Sequence, residues 1–273
     1  MSELLTTIEA CRLAGVGPTA IKRWADGGRL QCVRTAGGHR RFRRSELQAL
    51  IREMAPQPTA SGEWDEWVES LLGQEGPFLV EALLLRERAK QGSWARVAAR
   101  VGALLAEIGD RWARGSLAVA EEHHASDRLR RALVRVAESM PASPGAPACL
   151  VAAAEGDPHT GGLALTELTL REAGWRVIWG GAPMPVEDLV AAIRSWQPRM
   201  VALSASVASK PSILLAEAAR VAEACRAHGA VLALGGRGHW PVIPADVGRR
   251  FEDFESFAAF AAATAAAAAR ASH

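Results

Sequence analysis

The sequence is first informative for what it lacks. It has no uninterrupted apolar run of about 18 residues, so there is no membrane span to place. The opening "MSELLTTIEA" does not have the basic-then-apolar order of a signal peptide. Four cysteines (Cys11, Cys32, Cys149, Cys225) show no CxxC or other metal spacing and read as free thiols of a reducing compartment. A cytoplasmic location is therefore expected. Neither GxGxxG nor GxxxxGKS/T occurs, which removes two common phosphate-cradling loops.

What is present suits two or three domains: 273 residues, 49% of them hydrophobic. The net charge is only +2, but it is uneven. Residues 1–53 carry ten Lys and Arg against five acids, a local +5 that leaves the remaining 220 residues at −3. A basic head on a slightly acidic body points to a polyanionic partner for the head alone.

Within the head, "LTTIEACRLAG" opens on a capping box, Thr6 with Glu9, with Leu5 placed as its apolar staple. Ile8, Cys11 and Leu13 supply an apolar face. After Gly15, "VGPTAIKRWADGG" restarts a helix with Gly17 at the cap and Pro18 at its first position. Ile21 and Trp24 are expected to face the first helix, and Thr19, Lys22 and Arg23 to face outward. "LQCVRTAGGHRRFRRSELQALI" reads as strand, glycine turn, strand and a third helix capped by Ser45. The result is a helix-turn-helix with an arginine-bearing hairpin wing. A polar helix beside guanidiniums suits a groove and phosphates. Arg34, His39, Arg40 and Arg41 on the wing join Thr19, Lys22 and Arg23 as candidate DNA contacts. The run ending in "GGHRRF" resembles the winged-helix DNA-binding domain of the MerR family of transcription regulators. That resemblance implies an oligomer, a dimer or tetramer, on double-stranded promoter DNA.

Residues 55–63, "APQPTASGE", read as a linker between a head at 1–54 and a helical region at 64–141. Four helical segments follow, with apolar residues recurring at three and four, as in a small antiparallel bundle. One of them carries Trp112, then nine residues, then Glu122, His123 and His124. Adjacent histidines on a helix point about 100° apart, so a shared metal is disfavoured.

From residue 146 to 273, short apolar strands alternate with helices, which predicts a doubly wound parallel sheet of Rossmann or flavodoxin type. Ligands bind such sheets at the carboxyl ends of strands, where "EGDPHTGG", "SAS" and "GG" fall here. Asp157 beside His159 can fix one imidazole tautomer and leave the other nitrogen for a metal. With no second ligand nearby in sequence, that metal would arrive in a macrocycle. Asp157-x-His159-x-x-Gly162, Ser204-x-Ser206 and Gly235-Gly236 together resemble the cobalamin-binding fold, Ser206 standing where leucine is usual. The resemblance implies His159 as cobalt's lower ligand, and a nucleotide tail in a slot beside Ser204 and the glycines.

With that domain named, the whole chain resembles the cobalamin-dependent, light-responsive MerR-type regulators of the CarH/LitR type. Their pattern implies Trp112, Glu122 and His123 over the upper face of adenosylcobalamin, with methylcobalamin or a bilin as alternatives. The expected fold is multidomain, α plus α/β: winged helix-turn-helix, four-helix bundle cap and Rossmann-like cobalamin domain. No stretch of about 300 residues remains for a catalytic barrel, so an enzyme is not expected. One position departs: Ala113 stands where light-sensing members carry a histidine. A regulator that senses corrinoid without light and a corrinoid carrier of a methyltransferase remain alternatives.

Overall fold

A computed structural model describes residues 4–14, 18–26, 28–35, 37–47, 50, 64–73, 78–140 and 145–271. The expected linker 55–63 and cap Gly17 lie outside them, as do the side chains of Cys11, Leu13, Thr19 and Arg23. The chain divides into two compact units, residues 1–66 with 107–122 and residues 67–106 with 123–273. Among the described residues no helix is long and apolar enough to cross a membrane.

The head contains β1 (Leu4–Leu5), α1 (Thr7–Ala14), α2 (Pro18–Asp26), β2 (Cys32–Arg34) and β3 (Arg40–Arg43), with the antiparallel strands ordered β1-β3-β2. The capping box closes as expected. The Thr6 N–H donates to Glu9 Oε2 at 2.7 Å, and the Glu9 N–H donates to Thr6 Oγ1 at 3.2 Å. Ile21 and Trp24 are buried with Ala10, Leu30, Phe42 and Leu47.

Leu5 pairs with Phe42 in strand β1 and shares a buried cluster with Ala10, the position on α1 that an apolar staple meets. Two local expectations are corrected. Ile8 is exposed, and the buried face of α1 includes Ala10 instead. A small residue fits where the helix lies close to the sheet. The third helical stretch already includes residues 44–47, so Ser45 sits inside it rather than at its cap.

Four helices follow: α3 (Asp65–Leu72), α4 (Phe78–Gln91), α5 (Trp94–Ala113) and α6 (Val119–Ser139). Each buries one stripe, including Leu71, Leu84, Val97, Leu104, Leu129 and Leu133. Charged pairs tie α4 to its neighbours, Glu81 with Arg135 on α6 and Glu87 with Arg100 on α5. Glu87 is buried; its hydrogen bonds from Lys90 and Gln91 outweigh that burial and hold its pKa below the usual value.

The remaining elements alternate strand and helix: β4 (Ala148–Ala153), α7 (Gly161–Glu172), β5 (Arg176–Gly181), α8 (Val186–Trp196), β6 (Met200–Ala205), α9 (Pro211–His228), β7 (Val231–Gly236), β8 (Gly248–Arg250) and α10 (Phe254–Ala271). The sheet is parallel throughout, in the order β5-β4-β6-β7-β8. Cys149, Val151 and Ala153 face the α7 and α10 side, whereas Leu150 and Ala152 face α8 and α9. Burial on both faces explains why the strands read as continuous apolar runs. Two ties set α4 and the start of α5 on this sheet domain. Glu172 on α7 takes the Trp94 N–H at 2.7 Å and the Arg88 guanidinium at 2.6 Å, and Arg96 pairs with Glu255 on α10.

Candidate cofactor site and nucleic-acid face

In the order β5-β4-β6, the chain leaves β4 to one side and returns to β6 on the other. The switch point therefore lies between the carboxyl ends of β4 and β6, where open α/β sheets take ligands. The loop after β4 carries Asp157 and His159, and the segment after β6 carries Ser206 and Ser209.

The Asp157 carboxylate knits these two loops together. Oδ1 accepts the His159 N–H at 3.0 Å and faces His159 Nδ1 at 2.6 Å. Oδ2 accepts the Ser206 N–H at 2.5 Å and the Ser209 hydroxyl at 2.6 Å. Burial alone would raise the Asp157 pKa. The donors from Ser209, Ser206 and His159 outweigh it and hold the pKa at about 2. An ionised carboxylate can only accept, so Nδ1 of His159 carries the proton. In the neutral ring of that tautomer Nε2 is the nitrogen with the lone pair, and the imidazole is 63% exposed. This is the arrangement by which a carboxylate orients a histidine toward a metal. Among the described residues no group of three His, Cys, Asp or Glu side chains gathers to hold a metal ion.

Beside this pair, a cavity of about 170 Å³ opens among Gly162, Ser204, Gly235, Gly236 and Phe257. Ser204 lies between two glycines. A Cβ on Gly162 would come within 2.9 Å of its Oγ, and one on Gly236 within 3.0 Å. Gly236 has φ +83, and its Cβ would also collide with the Ala205 backbone, so side chains are excluded there on two counts. A Cβ on Gly235 meets only Leu203 O at 3.9 Å, so no close neighbour requires that glycine; the residue lines the cavity. Ser206 acts through its backbone N–H, which any residue supplies. The usual leucine is therefore dispensable for holding Asp157.

Three contributors were missed from sequence. Ser209 has no periodic or spacing signal. Trp240 is buried and donates its Nε1–H to Gly235 O at 2.8 Å. Leu105 on α5 lies against Gly161, where a Cβ would come within 3.2 Å of it.

Trp112 and Ala113 end α5, both exposed. Glu122 is half-buried, and His123 and His124 are exposed, in the first turns of α6. Trp112 and Glu122 belong to one compact unit and His159 to the other.

On the head, Lys22, Arg34 and His39 are exposed and Arg41 is half-buried. Arg40 is engaged within the protein, with its guanidinium on Asp26 at 2.6 Å and on the Lys22 carbonyl at 3.4 Å. It fastens the wing to the end of α2. Gly38, at φ +77, makes the hairpin turn, its N–H donating to Thr35 O at 2.8 Å.

Comparison with known proteins agrees with this layout. A helix-turn-helix domain family matches residues 4–55, and a B12 binding domain family matches residues 147–249. The HTH-type transcriptional repressor CarH of Myxococcus xanthus is 37% identical over 107 residues, covering 39% of this chain and 35% of the repressor. The match thus spans about a third of that relative's length. Among solved structures, the Methanosarcina barkeri monomethylamine corrinoid protein superposes with a TM-score of 0.50 at 16% identity. That superposition covers 73% of this chain and 97% of the other, and it speaks to fold alone. The chain therefore joins a helix-turn-helix domain to a B12 binding domain, and it resembles the CarH-like transcription regulators with a cobalamin-binding domain.

Proposed function

We propose that this chain is a cobalamin-dependent, light-responsive transcription repressor whose ligand state sets its oligomerisation and its hold on promoter DNA. The Asp157–His159 pair carries the proposal. An imidazole fixed at Nδ1 by an ionised carboxylate would offer Nε2 as a ligand to a metal that arrives in its own macrocycle. The adjacent cavity, kept free of side chains at Gly162 and Gly236, fits the flat base of a nucleotide tail. Bound adenosylcobalamin would supply a cobalt–carbon bond that light can cleave.

The chain's own residues do the rest. Asp157 holds the proton on Nδ1, and Ser206 and Ser209 hold Asp157. The family pattern assigns Trp112, Glu122 and His123 to the upper side of the cofactor. On the head, Lys22, Arg34, His39 and Arg41 offer polar and cationic side chains to phosphates and base edges, with Thr19 and Arg23 assigned beside them. Arg40 holds the wing in place. Repression controlled by ligand requires the assembled and dissociated states to bind cofactor differently.

Ala113 favours a second reading: a regulator of the same architecture that senses cobalamin, or a bilin, without capture by a second histidine. A corrinoid carrier for a methyltransferase would share His159 and the slot but would have no use for the wing.

The test is absorbance and oligomer size of the purified protein reconstituted with adenosylcobalamin, in darkness and after green light. Uptake in the dark, loss of uptake or an altered axial spectrum in H159A, and a light-driven change in size support the proposal. A spectrum that changes at constant size selects the second reading. No uptake by the wild type rejects both corrinoid readings.

A further inference from the structure

We infer that Arg237 recognises the phosphodiester of a corrinoid's nucleotide tail and so makes the slot selective for complete cobalamins. The inference rests on the corrinoid reading above and adds a residue that no motif contains.

The segment after β7, "GGRGHW", is tied to the end of β6 by one backbone bond and braced on itself by Trp240. The Gly238 N–H donates to Ala205 O at 2.8 Å, the Trp240 N–H to Gly238 O at 3.0 Å, and the Trp240 indole N–H to Gly235 O at 2.8 Å. Neither neighbour of residue 237 can carry a side chain. A Cβ on Gly236 would strike the Ala205 backbone, and one on Gly238 would sit 2.5 Å from Ala205 Cβ. Arg237 is therefore the one residue of 235–238 with a side chain, presented by a rigid turn at the rim of the cavity.

That side chain is exposed and has no acidic partner among the described residues. Of the two acids on the same rim, Asp253 is held by its own helix start and Glu252 points into solvent near Arg250. Asp253 accepts the Ser256 N–H at 2.7 Å and the Ser256 hydroxyl at 2.9 Å, and Glu252 lies 4.0 Å from Arg250. The inner wall is apolar, formed by Leu163, Ala202, Ala233 and Phe257. An apolar recess with an unpaired guanidinium at its mouth suits a ligand that ends in a flat ring and carries an anionic phosphodiester just outside.

The experiment titrates full-length protein in the dark, read by absorbance, with two probes. Adenosylcobalamin carries the nucleotide tail and its phosphodiester; adenosylcobinamide carries neither. In R237A, affinity for adenosylcobalamin is expected to fall about tenfold while affinity for adenosylcobinamide stays at the wild-type value. R237K should recover part of the loss. Three results overturn the inference: unchanged adenosylcobalamin affinity in R237A, equal losses for both probes, or a wild type that binds the two probes equally. A wild type that takes up neither probe rejects the corrinoid reading itself.

Discussion

Asp157 and Glu217 are both buried carboxyl groups under the loop after β4, yet the protein drives them in opposite directions. Asp157 has four donors around two oxygens, and its pKa falls to about 2. Glu217, on α9, accepts the Glu155 N–H at 3.1 Å on Oε2; its Oε1 is buried without a partner among the described residues. Burial pushes Glu217 up, the Glu155 and Asp157 charges push the same way, and its pKa reaches about 7. Burial by itself therefore does not decide ionisation. The number of donors arriving from neighbouring loops does. The Asp157 side is the one built to hold a fixed negative charge behind His159.

The comparison can be broken most forcefully at Asp157. D157N presents an amide where Ser206 and Ser209 both donate, and it should lower stability at pH 7 by about 3 kcal/mol. Asp157 is held at about 2 against a usual 3.8, so its contribution is present above about 3.8 and is lost as pH falls through about 2. Urea unfolding of the two proteins should accordingly converge in acid. Equal stability at pH 7 would show that the four donors contribute nothing net.

Glu217 should behave with the opposite sign. Its pKa rises from 4.5 to about 7 on folding, so its favourable proton is lost, and stability falls, as pH climbs across that window. E217Q removes the titration, and the wild-type decline between those values should flatten by roughly 2 kcal/mol. An unchanged slope in the variant would assign the decline to other groups.

The smallest change sharpens the contrast. S209A takes one donor from Asp157 and moves it toward the situation of Glu217. A loss of about 1 kcal/mol at pH 7 is expected, with the acid transition starting at higher pH. NMR titration of the Asp157 carboxyl reads the shift directly; a pKa still near 2 would mean that Ser209 is redundant.

Local pattern was legible wherever few residues settle the outcome. The Thr6–Glu9 box closes because its partners are three residues apart, and the four apolar runs became β4 to β7 because both faces of the sheet are covered. The DxHxxG, SxS and GG stretches marked the sheet ends that line the site. Less was legible where distant segments decide. Strand β1 was not read at all because a two-residue strand has no periodicity, and β8, "GRR", has no apolar run at all. Ile8 looked like core because helical spacing shows that a face exists but does not select which residues meet the neighbouring sheet.

Sequence alone determined the modular order: a basic winged head, a helical middle and a parallel α/β domain with its polar residues gathered at strand ends. These follow from charge, periodicity and turn chemistry, which are local properties. Only the tertiary structure decided that Ser209 joins Asp157 across two loops, that Trp240 braces Gly235, that Arg40 clamps the wing to α2, and that Arg237 stands unpaired at the slot. Each of these depends on which chain segments become neighbours when the sheet closes, and no spacing along the chain encodes that distance.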